Sequence, residues 1–103
     1  MAIANICKVT ARNRGATGVD APDSLATTTE TKTLSASSQQ TTMTASPGEI
    51  WSVTANGDCL VLSGTNPTAL AAGGTSHQFV PSGQTRYFNA TVASEKLAVI
   101  SPT

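Results

Sequence analysis

The chain has 103 residues, 39% hydrophobic and 12% charged, and six Lys and Arg balance six Asp and Glu to a formal net charge of zero. A chain this short closes one modest core, so a single domain over residues 1–103 is expected, and a balanced charge offers no field to attract nucleic acid or an anionic membrane. The charged share is about half the usual one, so Thr, Ser, Asn and Gln must cover the surface, and a surface of that kind favours a homo-oligomer.

No apolar run approaches the roughly 18 to 20 residues that cross a bilayer. The start, MAIANICKVTARNR, lacks the basic region and apolar core of a secretory signal. The expectation is a chain that begins in the cytoplasm in which it is made. There Cys7 and Cys59 are expected as buried small hydrophobes, although their spacing leaves a disulfide open.

Residues 2–9 alternate as a strand, with Ile3, Cys7 and Val9 on one side and Ala4, Ile6 and Lys8 on the other. The first side is expected to be buried, with Ile6 left for a neighbour. Gly15, Gly18 and Pro22 then punctuate a loop over residues 12–23. Two readings of residues 1–14 stay open. They form the first strand of the domain, or an attachment arm in which Ile3, Ile6 and Val9 lie with Lys8, Arg12 and Arg14 along a neighbouring subunit.

Residues 24–46 are dominated by Thr and Ser. Leu25, Thr27, Thr29, Thr31 and Thr33 alternate as a weakly apolar strand face does, since Thr is a good strand former. A long edge strand, a loop near residues 35–39 and a short strand over residues 40–45 fit this better than a disordered linker or a mucin-like stalk.

Pro47 and Gly48 make a turn. Residues 50–55 and 58–63 flank Asn56-Gly57, which predicts a two-residue hairpin, because both residues tolerate the positive φ of a type I′ turn. Counting outward pairs Val53 with Leu60 and Trp51 with Leu62, so these four would form one hydrophobic wall. Residues 64–74 read as a crossing loop with one helical turn near residues 67–72. Strands are predicted over residues 75–80 and 85–90, joined by a type II turn at Pro81-Ser82-Gly83-Gln84, with proline presetting φ at the second position and Gly83 supplying the positive φ after the serine. The last strand, residues 96–101, sets Leu97 and Val99 on one face and Ala98 and Ile100 on the other. Seven or eight short strands with Gly and Pro turns predict an all-β antiparallel sandwich or small jelly roll.

Chemistry is not advertised. His77 is the single histidine, and no acid stands near it in sequence to orient the imidazole for nucleophilic catalysis. One His and two distant Cys match no zinc spacing, and the six acids never cluster as a calcium loop does. Gly73-Gly74 lacks the lysine and the following helix of a phosphate loop. No catalytic residue, metal or cofactor is expected. The small-ligand alternative is a carbohydrate, for which the single aromatic left to serve as a platform is Tyr87 or Phe88.

From residue 39 onward the chain carries Gly48-Glu-Ile-Trp-Ser-Val-Thr54, Leu60-Val-Leu-Ser63, Gly64-Thr-Asn-Pro-Thr-Ala69, a Pro81-Ser-Gly83 turn, Arg86-Tyr-Phe88 and Leu97-Ala-Val-Ile100. With these framework stretches it resembles the small β-rich virion proteins of tailed bacteriophages. That resemblance implies a non-enzymatic structural role in the virion. The implied partner is the major capsid protein or another virion protein, bound by a cement or decoration subunit on the head shell. A tail or fibre subunit and a carbohydrate-binding host-attachment module are the alternatives.

Overall fold

A computed structural model describes residues 2–14, 19–22, 28–74 and 76–102, with the backbone alone described for residues 9–14, 19–22 and 28. The fold is an antiparallel β-sandwich. Its strands are β1 (Ile3–Arg14), β2 (Val19–Pro22), β3 (Thr28–Thr33), β4 (Gln39–Gln40), β5 (Glu49–Ala55), β6 (Cys59–Gly64), β7 (Gln78–Val80), β8 (Thr85–Asn89) and β9 (Lys96–Ile100). One sheet runs β3-β1-β5-β8, with β2 following β3 along the edge of β1 that faces away from β5. The other runs β4-β9-β6-β7.

The core lies between the sheets. Ala4 and Ile6 from β1, Trp51, Val53 and Ala55 from β5, Cys59 and Val61 from β6, Val80, and Leu97 and Val99 from β9 are all buried in one cluster. Strand alternation sends the intervening residues of β6 and β9 outward. On that outer face Leu60 and Leu62 pack with Ala98 and Ile100 beneath Ala69 and Ala71 of the following loop. The split of β9 into Leu97 and Val99 against Ala98 and Ile100 is the one the sequence predicts.

Asn56-Gly57 does not form a hairpin. β5 pairs with β1 and β8, whereas β6 pairs with β7 and β9, so the dipeptide carries the chain from one sheet to the other. A type I′ turn needs positive φ at both central residues, and neither Asn56 nor Gly57 has it. Asn56 instead joins β1: its N–H donates to the Ile3 carbonyl (3.1 Å), and its Oδ1 accepts from the Ile3 N–H (2.7 Å). A Cβ on Gly57 would stand 2.7 Å from the Ala2 Cβ, so glycine serves a close approach here. The predicted single wall therefore divides: Trp51 and Val53 face the core, while Leu60 and Leu62 lie half-buried on the far side of the second sheet.

The turn after β7 crosses between sheets as well. Gln84 N–H donates to the Pro81 carbonyl (3.1 Å), with Gly83 in the third position at φ 79°; proline stands first in this turn, not second. The two crossings are laced together by Gly83 N–H to the Ala55 carbonyl (2.7 Å) and Ser82 N–H to Asp58 Oδ1 (3.0 Å).

The Thr-rich segment is the predicted edge strand over Thr28–Thr33, followed by bends at residues 35–37 and the short β4. Leu25 and Thr27, assigned to the same strand face, lie outside the described residues, as does the Gly15 to Gly18 part of the predicted loop. In place of the helical turn near residues 67–72, the chain makes a turn closed by Gly73 N–H to the Leu70 carbonyl (2.9 Å).

Candidate partner interface

β1 is two structures in succession. From Ile3 to Lys8 it is flanked on both edges, by β3 and by β5, and the β5 ladder ends at Thr10 against Glu49. From Ala11 to Arg14 its described partner is β2 alone, with Arg12 opposite Ala21, Asn13 opposite Asp20 and Arg14 opposite Val19. The chain thus extends from the sheet as a two-stranded ribbon of about 13 Å at ~3.3 Å per residue.

The residues expected at a partner surface separate along this division. Ile6 is fully buried in the core and Ala4 beside it is also fully buried, so the inward face of β1 is the one predicted to face a neighbour. The reason is non-local: Ile6 stands opposite Val53 on β5, whose side chain is interior, and residues paired across a ladder share a face. The predicted interior side faces outward, with Ile3 37% exposed and Cys7 half-buried. Lys8 lies at the end of the inward row, where its Nζ donates to the Thr44 carbonyl (2.8 Å) and pairs with Glu49 Oε2 at 3.7 Å. It ties the turn before β5 to β1. Val9 pairs with Ile50 inside the sheet, and Arg12 and Arg14 belong to the ribbon; the side chains of these three are outside the described set.

Two acids, Glu95 and Glu30, hold the sandwich together. Glu95 is fully buried: Oε1 accepts from Trp51 Nε1 (2.7 Å), and Oε2 accepts from the Thr91 N–H and Oγ1, both at 3.1 Å. The indole N–H is the one sequence clue, because a buried Trp needs an acceptor. Glu30, on β3, accepts from the Thr42 N–H (3.0 Å) and the Met43 N–H (2.5 Å) and lies 3.3 Å from Lys32 Nζ. Partial burial pushes its carboxyl up, but the two main-chain donors and Lys32 outweigh this and hold it below the ordinary value.

The remaining candidates for chemistry have structural places. His77 Nε2 accepts from the Leu70 N–H at 3.0 Å, which ties the middle of the loop before β7 to its end. Cys7 and Cys59 are free thiols; Cys59 is buried, and burial pushes its thiol up to about 11. Among the described residues no three His, Cys, Asp or Glu side chains gather as metal ligands. Tyr87, 61% exposed, stands on β8 opposite Ser52. Comparison with protein-family models, curated proteins and solved structures finds no match for this chain.

Proposed function

We propose that this protein is a non-enzymatic phage virion subunit, made in the host cytoplasm, which acts as a cement or decoration protein on the head shell. The ribbon formed by β2 and the end of β1 is its docking element on the major capsid protein or another virion protein. The observation that carries this reading is that Ala11 to Arg14 pair with β2 alone among the described residues, while the rest of β1 is secured on both edges. A two-stranded ribbon by itself is marginal in water. A neighbour that covers it supplies the missing contacts, and many copies on a symmetric shell add weak contacts into a strong total. Arg12 and Arg14 against the single Asp20 give the described strands of the ribbon a basic excess, which suits an acidic surface. The resemblance of the later strands to small virion proteins supports the same class.

The test is to reconstruct a particle carrying the protein and locate it. Density for the sandwich on the outer shell, with the ribbon inserted between capsid subunits, is the expected result. A location in the tail or fibre overturns the cement role, and a protein that never associates with particles overturns the class. A sugar-binding module is the second reading, favoured by exposed Tyr87; glycan binding that disappears in Tyr87→Ala would select it.

A further inference from the structure

We propose that the outer edge of β8 is a self-association surface, where two copies of the chain pair β8 with β8 antiparallel about a two-fold axis and continue the first sheet from one sandwich into the next. The inference stands apart from the particle reading.

The phase of the ladder shows which groups are available. Ala90 N–H donates to the Glu49 carbonyl at 3.0 Å, and in an antiparallel pair alternate residues turn both main-chain groups to the same side. Arg86 and Phe88 therefore bond toward β5, and Thr85, Tyr87 and Asn89 turn their N–H and C=O outward. Among the described residues β5 is the one strand partner of β8, and no main-chain group outside the strands bonds to that outward side.

Among the described strands the other edges are shorter or occupied, and β2 has four residues that include Asp20 and Pro22. β4 has two residues and β7 three. On β3, Glu30 and Lys32 pair with each other, and Glu30 also binds the main chain of Thr42 and Met43; charges turned inward at an edge are a common guard against strand addition. β8 has five residues without Pro; its one charge, Arg86, stands opposite Val53 but is exposed at the edge, with no carboxylate beside it in the strand.

A second copy fits this edge in one register. With both sandwiches on the same side of the shared sheet, paired residues share a face, so the axis passes through Arg86, Tyr87 or Phe88. Centring on Arg86 sets arginine opposite arginine, which is destabilising, and centring on Phe88 leaves Thr85 and Arg86 beyond the end of the other strand. Centring on Tyr87 pairs the whole strand. Thr85 then meets Asn89 of the second copy, Arg86 meets Phe88, and the two Tyr87 rings meet each other. These are a hydroxyl with an amide, a guanidinium with an aromatic face, and an aromatic pair. The outward-turned residues Thr85, Tyr87 and Asn89 are also the ones set opposite each other, so their N–H and C=O groups meet. Zero net charge puts no long-range repulsion between copies.

Sedimentation velocity across a dilution series of the full chain tests this with Tyr87→Lys and Tyr87→Glu. Each places like charges opposite each other at the axis, so each weakens dimerisation about tenfold or more, while an equimolar mixture restores a dimer of one Lys and one Glu copy. Both variants keep the wild-type melting temperature, because Tyr87 is exposed and its main chain is not bonded to β5. A wild type that stays monomeric throughout overturns the proposal. So does a dimer that persists unchanged in both variants, or a mixture that stays as dissociated as its components. Dimerisation without binding to particles would fail the particle reading and leave this one standing.

Discussion

The two halves of β1 have the same secondary structure and opposite support. The half from Ile3 to Lys8 is bonded on both edges and buries Ala4 and Ile6, whereas Ala11 to Arg14 have β2 as their described partner. Hydrogen bonding within a strand is therefore a poor guide to what a segment contributes. The inner half is held by the sheet-to-sheet core and is expected to be costly to change; the outer half is expected to tolerate change in the free protein and to matter when a partner is present.

The largest effect expected is in the core that supports the inner half. Trp51→Ala removes a fully buried side chain and leaves the buried Glu95 carboxylate without its indole donor. A loss of about 3–5 kcal/mol from the cavity alone, within a total of roughly 5–15 kcal/mol for a typical domain, should leave the variant largely or wholly unfolded. Denaturant unfolding followed by circular dichroism checks this, and a well-folded variant with near wild-type stability would contradict the assignment.

Next comes a contrast within the inner half. Ile6→Ala should cost about 2–5 kcal/mol, and Ile3→Ala about 0.5 kcal/mol or less, as surface changes do. Equal losses in the two variants would mean that β1 presents the wrong face to the core. The order matters more than either value, since differences between variants are more secure than absolute sums.

A smaller effect belongs to the tie between β3 and the chain before β5. The Glu30 carboxyl is held below its ordinary value, so its contribution is complete above the unfolded value of about pH 4.3 and is lost as pH falls through the folded value. Glu30→Gln should lower stability by about 1–3 kcal/mol at neutral pH, as loss of hydrogen bonds to a charged group does. The same substitution should flatten the loss below about pH 4.3. Melting temperatures over an acid pH series read both, and parallel curves for the two proteins would refute the role given to Glu30.

How much of this was legible in the sequence follows from the range of each signal. Local alternation found β5, β6, β8 and β9, and it separated Leu97 and Val99 from Ala98 and Ile100. It could not choose partners. Asn56-Gly57 is a strong hairpin signal on local grounds, yet its conformation is decided by Ala2 and by Ile3, 53 residues away along the chain from Asn56. The same holds for β1, where three apolar side chains on one face outweighed Ile6 until Val53 fixed which face is interior. Leu60 and Leu62 were placed in the main core because nothing local reveals that Ala69 and Ala71 return to cover the far side of their sheet. Glu95 had no local signal beyond the absence of an acidic cluster, and no spacing rule connects it to Trp51 across 44 residues. The ribbon was legible as basic residues near a glycine-rich turn, but its separation from the sheet depends on where β5 stops.

The most direct measurement combines Arg12→Glu and Arg14→Glu in the full chain and compares melting temperature with co-sedimentation on purified head shells. Loss of shell binding with the melting temperature unchanged is the predicted result, because the ribbon then serves the partner and not the sandwich. Unchanged binding, or a melting temperature that falls with it, would contradict the division of β1 into a structural half and a docking half.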